Sequence, residues 1–506
     1  MTTIAAVDVG SNGIRLAIGR LLDGQIPYVI HTSREAVRLG KDVFTEGKIG
    51  KPNTDRSIAA FQSFRREIEL ASVRRIRAIA TSALREARNQ DVFIDRIYQA
   101  SGIEIEIISA EEEARLVHLA ISQSVDLRGK RALAIDIGGG SVEFVLSDDG
   151  RIINTDSLKI GTVRLLELLR GQNDNEKLFS QLTREYVHRT ERWLDELFGI
   201  EKIDLMMGIG GNVESLGQLR RTLLGKSTKS LLTINELSEI LKRLGDLTYE
   251  ERIDQLTLRP DRADVIIPAS IVIESVMGRA GVDRLIIPNV GIKDGVLLDI
   301  ADEMHHTPRH PNHDDLIHAA IQIGRKYHFD EAHGRRVAEY ALQIFDQTEA
   351  LHKLTERART MLEVASLLHD IGLYIRNRRH HKHTYYLLSE TPIIGLTSDE
   401  MELVAQIARY HRKAKPTTKH ETFASLSHNE RVIVSKLSAI LRVAAALDIE
   451  QNGCISSVSI NMDGPDLWMN IHGEGDLLLE RWAVMKRCSY FEEVFGVQLN
   501  IDGKAD

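Results

Sequence analysis

The strongest constraint on the fold of this chain is a pattern that occurs twice. Residues 5–18 read AAVDVGSNGIRLAI and residues 134–146 read AIDIGGGSVEFVL. Each is an apolar β run, then Asp-x-Gly, then small residues, then a second β run. The two aspartates, Asp8 and Asp136, stand 136 − 8 = 128 positions apart. That is the length of a domain, so the repeat predicts a duplicated α/β domain with two facing lobes. In such a turn, glycines let successive backbone N–H groups converge into an anion nest, and phosphate is the obvious guest. The candidate phosphate contacts are Gly10, Ser11 and Asn12 in the first turn, and Gly138, Gly139, Gly140 and Ser141 in the second. A third glycine-rich turn after an apolar strand adds Gly210, Gly211 and Asn212. A carboxylate cannot itself meet an anion, so Asp8 and Asp136 are expected to hold a divalent cation, Mg²⁺, usually through water.

The first 300 or so residues alternate β-rich runs with amphipathic stretches, the pattern of an α/β fold. Residues 303–315, EMHHTPRHPNHDD, form a polar, proline-containing linker. Beyond it the pattern turns helical, and 15 of the 19 histidines fall between His305 and His428, which marks a separate domain. The last ~55 residues return to alternation and predict a small α+β appendix. The expected boundaries are 1–124 and 125–305 for the two lobes, 306–450 for the helical domain and 451–506 for the appendix. With two cysteines among 506 residues, a disulfide framework is excluded and a reducing cytosol is the expected compartment. No apolar run reaches the ~18 residues of a membrane span. The net charge of −8 argues against a nucleic-acid coat but leaves room for a local basic groove.

Hydrolysis at phosphorus requires an in-line water, a proton acceptor and neutralisation of the equatorial oxygens. Glu143, three residues past the second turn, and Arg85 in TSALREARN are candidates for that work, while Glu111-Glu112-Glu113 opens a helix that Ser109 caps. Arg262, in RPDRADVIIPAS, is a further candidate phosphate contact. The densest basic text includes Arg376, Arg378, Arg379 and Lys382, followed by Arg412 and Lys413, and predicts a track for a polyanion.

The segments AAVDVGSNGIRLAI, AIATSALREARN, EIISAEEEARLVHL, AIDIGGGSVEFVL and MGIGGN resemble, in order and spacing, the exopolyphosphatase and guanosine pentaphosphate phosphohydrolase (Ppx/GppA) family. The resemblance implies an actin-like (ASKHA, RNase H-like) duplicated fold and Mg²⁺-dependent release of terminal orthophosphate from polyphosphate or pppGpp. It implies that Glu113 is the general base, that Asp136, Gly138 and Glu143 organise metal and phosphate, that Ser141 and Gly140 add donors, and that Arg85 stabilises transferring charge. Gly13 departs from the pattern, since relatives commonly carry a second hydroxyl residue there. The C-terminal half resembles the HD-type helical domain of long family members. That likeness implies a metal set of His333, His369, Asp370 and Asp448, suited to Mn, Fe, Zn or Mg. His411 and His383 are candidate extra ligands. A homodimer is also implied.

The leading expectation is a cytosolic exopolyphosphatase with its cleft between the lobes. The first alternative is a pppGpp phosphohydrolase. A kinase or ATPase on the same fold, or a binding protein that holds alarmone without turnover, are the competitors from other classes.

Overall fold

The computed structural model describes residues 2–22, 26–169, 176–199, 201–304, 313–463 and 466–501. The chain divides into two compact units, Met1–His310 and Pro311–Asp506. Most of the expected linker lies outside the described residues.

Unit Met1–His310 contains two sheets. The first comprises β1 (Thr2–Val9), β2 (Ile14–Leu21), β3 (Tyr28–Glu35), β4 (Arg75–Ala80) and β5 (Ile105–Ile107), in the order β3-β2-β1-β4-β5. The second comprises β6 (Arg131–Ile137), β7 (Val142–Asp148), β8 (Arg151–Leu158), β9 (Leu205–Ile209), β10 (Leu231–Thr233) and β11 (Arg284–Ile286). Read from the β8 edge, its order is β8-β7-β6-β9-β11-β10. In both sheets an antiparallel three-strand meander is followed by parallel strands, β4 and β5 in one and β9 and β11 in the other. The duplication read from the two Asp-x-Gly hairpins is therefore a duplication of topology. Central strands such as β1 and β6 are buried on both faces, which is why they read as unbroken apolar runs. Edge strand β3 reads YVIHTSRE and is mostly exposed.

Two helices fill the space between the sheets. Ala110–Ser122 contributes Leu116, Val117 and Ile121 to a core that also holds Ile4, Ala6, Ala134 and Val145. Ile292–Met304 joins the same core through Val296, Leu297 and Ile300 and packs on β1 and β2. The chain thus returns to the first sheet after completing the second, so a lobe running unbroken over 125–305 does not describe the packing.

Unit Pro311–Asp506 is a helical bundle with a three-stranded sheet of β12 (Ile455–Asp463), β13 (Asp466–Gly473) and β14 (Gln498–Ile501). Helix His428–Leu447 is buried along most of its length, and Val484 and Phe491 of helix Leu478–Phe495 share its core with Leu467 and Met469 of β13. The small α+β segment is therefore one wall of a single core, not a separate domain. No helix among the described residues is long and apolar enough to cross a membrane.

Candidate active site and a histidine cluster

In the first unit, several carbonyls of the two Asp-x-Gly hairpins are already engaged within the protein. The Gly138 and Gly139 carbonyls accept from the backbone N–H groups of Thr162, Val163 and Arg164 at 2.9–3.1 Å, and Arg164 Nε donates to the Gly140 carbonyl at 2.8 Å. In the first turn, Ser11 O accepts from Gly40 N at 2.8 Å and Gly13 O from Gly10 N at 3.1 Å. The two turns lie against each other, since a Cβ built on Gly139 would stand 3.0 Å from the Ser11 Cβ and 3.5 Å from the Asn12 N. Between them is a cavity of about 70 Å³ lined by both turns, by Thr81 and Ser82 at the end of β4, and by Glu113, Gly210, Gly211 and Arg262.

Four carboxylates converge here. Asp8 and Asp136 occupy equivalent positions on β1 and β6. Arg15 sits directly across from Asp8 in the β1–β2 register and donates to it at 3.1 Å. Glu143 sits across from Asp136 in the β6–β7 register. Burial pushes the Asp136 carboxyl up to about 7, reinforced by the charge of Glu143. Glu113 is raised well above its ordinary range by burial and then by Glu143, against the pull of Arg85. Asp8 and Glu143 are raised by burial as well. Mutual repulsion of this kind favours a cation among the four, and Glu143 adds a buried Oε2 with no hydrogen-bond partner. Asp8 and Asp136 line the cavity and are oxygen donors of the kind Mg²⁺ takes, whereas Glu143 does not line it, and the donor atoms of the three form no cluster among the described residues.

The three glutamates that open helix Ala110–Ser122 have separate fates. Ser109 caps the helix by accepting from Glu112 N. Glu112 forms a fork with Arg115 at 2.7 and 2.8 Å and also meets Arg77, whereas Glu113 turns into the cavity wall, 7% exposed. Arg85 binds Glu113 Oε2 through two nitrogens at 3.1 and 3.2 Å and the Ile108 carbonyl at 2.7 Å. Arg85 is therefore placed to hold Glu113, and it does not line the cavity. Glu143 lies behind the second turn, where it accepts from the Ser141 and Ser157 hydroxyls. Ser141 thus offers the cavity its backbone, its hydroxyl being committed. Asn212 Oδ1 accepts from Arg262 Nη1 at 3.1 Å, and Asn12 Nδ2 donates to the Asp261 carbonyl at 3.0 Å.

A second, larger cavity of about 400 Å³ shares Arg15, Asp136, Gly210, Gly211, Arg262 and Ile292 with the first and adds Arg34, Arg259 and Lys293. No aromatic ring lines either among the described residues. Asp261 gathers Arg34 at 2.5 Å, Arg259 at 3.4 Å and Arg262 at 3.7 Å. Burial and the charges of Arg15, Arg34 and Arg259 depress Arg262 to about 9, so an anion beside it would relieve the strain of that cluster. Arg34 was not expected to take part. It reaches the site because Gly13 has no side chain: a Cβ there would stand 3.1 Å from Arg34 Nη2 and 2.9 Å from the Glu35 carbonyl. The only trace in sequence is the glycine itself. Thr81, Ser82 and Lys293 were also missed, although Thr81-Ser82 follows a parallel strand at its carboxyl end, where α/β folds place ligands.

In the second unit, Asp330 caps helix Glu331–Gln347 by accepting from His333 N at 2.9 Å, which fixes His333 in the first turn. His369 and Asp370 end helix Glu356–Leu368, and Asp448 ends helix His428–Leu447. Asp448 Oδ2 accepts from His333 Nδ1 at 2.6 Å and both its oxygens accept from Arg336 Nε at 3.0 Å. Of the two extra histidines singled out in the sequence, His411 joins the cluster, its Nε2 3.4 Å from Asp370 Oδ1, and His383 is not among the clustered residues. His380, hidden in the basic run, was missed, yet its Nε2 lies 3.0 Å from the same oxygen. Arg376, Arg378, Arg379, Lys382 and Lys413 are exposed and Arg412 half-buried, and none forms an ion pair with a carboxylate among the described residues.

The Ppx/GppA phosphatase family model matches residues 18–304, and the model of domain III of Ppx/GppA phosphatases matches 317–474. The latter description names the helical unit by its place in that family and not as an HD-type domain. Guanosine-5'-triphosphate,3'-diphosphate pyrophosphatase of Vibrio parahaemolyticus is 25% identical over 92% of this chain and 91% of its own length. The same-named protein of Pseudoalteromonas atlantica is 24% identical over 95% of both. Among solved structures, an exopolyphosphatase from Cytophaga hutchinsonii matches with a TM-score of 0.56 and 26% identity, over 60% of this chain and 98% of that one. The Aquifex aeolicus member of the Ppx/GppA family matches with a TM-score of 0.52 and 25% identity, over 60% and 99%.

Proposed function

Because the chain belongs to the Ppx/GppA phosphatase family, we propose that it hydrolyses the terminal phosphoanhydride bond of pppGpp, releasing orthophosphate. The observation that carries a hydrolytic reading is the position of Glu113. It is a buried, destabilised carboxylate on the wall of a small cavity lined by the two glycine-rich turns, by Asp8 and Asp136 and by Arg15 and Arg262. The nucleotide is favoured over the polymer by relatives that align over nine-tenths of both chains and are named for it. The sequence on its own led to polyphosphate first, and the full-length relatives shift the weight to the alternative.

In this reading the terminal phosphate sits between the Gly10–Gly13 and Gly138–Ser141 turns, whose N–H groups bind its oxygens. Glu113, held by Arg85, accepts the proton of the attacking water, and its raised affinity for that proton suits the role. Arg15 and Arg262 lie where the cavities join and face the bridging oxygens. Mg²⁺ held by Asp8 and Asp136 would supply charge neutralisation on the phosphate, with Glu143 behind the second turn adding negative charge to the site. The larger cavity, with Arg34, Arg259 and Lys293, takes the remaining phosphates of a substrate whose negative charge is spread along its length.

A second reading, processive cleavage of inorganic polyphosphate, is favoured by Arg376, Arg378, Arg379, Lys382, Arg412 and Lys413, which form no ion pair with a carboxylate among the described residues, and by the exopolyphosphatase among the structural relatives. Phosphate release from pppGpp, long-chain polyphosphate and ATP, measured at equal enzyme with Mg²⁺ and with chelator, tests both. The expected result is a higher kcat/KM on pppGpp, abolished by chelator. Turnover of polyphosphate alone would replace the first reading by the second, and phosphorylation of an acceptor by ATP would overturn both.

A further inference from the structure

Arg164 lies behind the second glycine-rich turn, outside the cavity, and is committed to that turn twice. Its backbone N–H donates to the Gly139 carbonyl at 3.0 Å and its Nε to the Gly140 carbonyl at 2.8 Å. Two further contacts reach the guanidinium from the half of the unit built on the first sheet. Its Nη2 donates to Glu86 Oε1 at 2.8 Å, and its Cζ lies over the Phe44 ring, 4.0 Å from the centroid. Phe44 belongs to helix Leu39–Glu46 and Glu86 to the short helix Ser82–Glu86 that follows β4. Phe44 also closes on the turn itself, since a Cβ on Gly140 would overlap both its ring and the Ser82 hydroxyl. Only 16% of the Arg164 side chain is exposed, so these charged contacts are made largely out of water, where they are stronger.

In a trans peptide the C=O and the following N–H point in opposite directions. A guanidinium that anchors the Gly140 oxygen therefore also sets the direction of the Ser141 N–H. Gly161 N shares that oxygen at 3.3 Å, but an amide carries no charge. The cationic donor polarises the peptide and makes its N–H a stronger donor. Gly140 and Ser141 both line the cavity, and the Ser141 hydroxyl is taken by Glu143, so the main chain is what Ser141 offers an anion. The helix that holds Arg164 also holds the carboxylate on the cavity wall. Arg85 binds Glu113 through two nitrogens, and its neighbour Glu86 binds Arg164. Adjacent residues on a helix face different sides. Five residues of chain thus grip Glu113 on one side and the glycine-rich turn on the other.

We propose that Arg164 is a positioning residue for phosphate release: anchored by Glu86 and Phe44, it fixes and polarises the Gly140–Ser141 peptide, and helix Ser82–Glu86 keeps that peptide in register with Glu113. This role rests on the reading of Glu113 as the base. Arg164 does not line the cavity and acts through the main chain. A donor aimed in advance needs no reorganisation as charge develops on the phosphoryl oxygens, so its contribution belongs to kcat. Ground-state affinity comes instead from Arg34, Arg259 and Lys293 of the larger cavity.

Steady-state phosphate release from pppGpp and from polyphosphate by the full-length chain tests this. Arg164→Ala should lower kcat about 10- to 100-fold with KM changed less than about threefold, a smaller loss than removing a donor to the developing charge outright. The vacated space is bounded by a carboxylate, an aromatic face and a carbonyl, so added guanidinium should raise kcat of this variant about fivefold, and that of Glu113→Gln not at all. Arg164→Lys should recover part of the loss, because an ammonium can reach the carbonyl but cannot also fork to Glu86. Glu86→Ala should lower kcat about 10-fold alone and add nothing in the Arg164→Ala background, since it acts through that side chain. Lys159, 72% exposed, also meets Glu86 Oε1 at 3.2 Å. Lys159→Gln should leave kcat within about twofold of normal, as expected for an exposed pair. Normal kcat in Arg164→Ala, a loss confined to KM, or additive losses in the double variant overturns the role. Glu86→Ala carries the same test should Arg164→Ala not fold. Amide-hydrogen exchange over residues 138–141, read by mass spectrometry, should be about 10-fold faster in both variants, and unchanged exchange also overturns the role. Exchange is read without turnover. A parent chain inactive on both substrates therefore overturns the proposed function, whereas normal parent turnover with unchanged kcat in Arg164→Ala overturns this inference alone.

Discussion

Glu113 occupies a position in which a carboxylate is costly: it is buried, faces Glu143 and Asp136, and is held by the two-nitrogen contact from Arg85. Replacing it by Gln keeps the shape and the hydrogen bond but removes the proton acceptor. We expect Glu113→Gln to lower kcat by about 10²–10⁴-fold with KM changed little, as read by steady-state phosphate release. An unchanged kcat would remove Glu113 from the role of base. Gly13 makes a different kind of contribution, because its missing side chain lets Arg34 pass toward Asp261 and the larger cavity. Gly13→Ala places a methyl 3.1 Å from Arg34 Nη2 and 2.9 Å from a carbonyl oxygen, so the guanidinium must retreat. KM for pppGpp should rise about 10-fold, the value of one charged contact, with kcat within a few-fold of normal. A loss confined to kcat would mean that Arg34 serves the chemistry and not the binding of the outer phosphates.

Elements were most legible where the sequence repeats itself. The two Asp-x-Gly hairpins announced their strands, and the matching order of the two sheets follows from them. Long-range returns were not legible. Nothing in IKDGVLLDIADEM shows that helix Ile292–Met304 packs on strands some 270 residues earlier, because an amphipathic pattern says which face is buried and not against what. The appendix was read as a domain since its β alternation follows a helix, but its apolar residues complete a neighbour's core. His380 was lost in RNRRHHKH because a basic run reads as a solvated loop; the start of helix His380–Ser389 turns that one imidazole inward. Capping was legible and carries a prediction. Thr233 and Glu236 form a capping box at the start of helix Ile234–Gly245, and Glu236 also binds Arg220 of helix Gly211–Leu224 through two bonds at 2.8 and 2.9 Å. The Arg220 contact, aided by the Thr233 N–H, holds the Glu236 carboxyl down to about 2. A carboxyl lowered in the fold stabilises it above the unfolded value of ~4.3, and that contribution fades as pH falls from there toward 2. Glu236→Gln should therefore cost about 1–2 kcal/mol at pH 7 in urea unfolding. The gap between variant and parent should narrow below pH 3; a gap independent of pH would assign the loss to packing.

At the scale of the whole molecule the balance is acidic, a net charge of −8, and yet positive charge accumulates at Arg376, Arg378, Arg379, Lys382, Arg412 and Lys413 without a carboxylate partner among the described residues. Uncompensated cations on an acidic protein destabilise it slightly by mutual repulsion, and a polyanion that engages several at once releases its own counterions in exchange. A long chain bearing about one charge per phosphate can engage several of them at once, whereas a nucleotide with five phosphates offers far fewer contacts. The two proposed substrates are thus separable by one variant. Changing Arg376, Arg378, Arg379 and Lys382 together to Gln should weaken binding of long polyphosphate and flatten its dependence on salt. Each cation that touches a phosphate contributes a slope of about −0.7 in log K against log salt, so loss of four contacts would reduce the slope by about 3. Between low and moderate salt the parent should lose long-chain affinity steeply and the variant shallowly, while kcat/KM for pppGpp stays within twofold in both. If instead pppGpp and long polyphosphate weaken together, the four cations contribute to the fold or to a site common to both substrates. If neither weakens, the run is a solvated loop, and processive cleavage of a long chain loses its physical support.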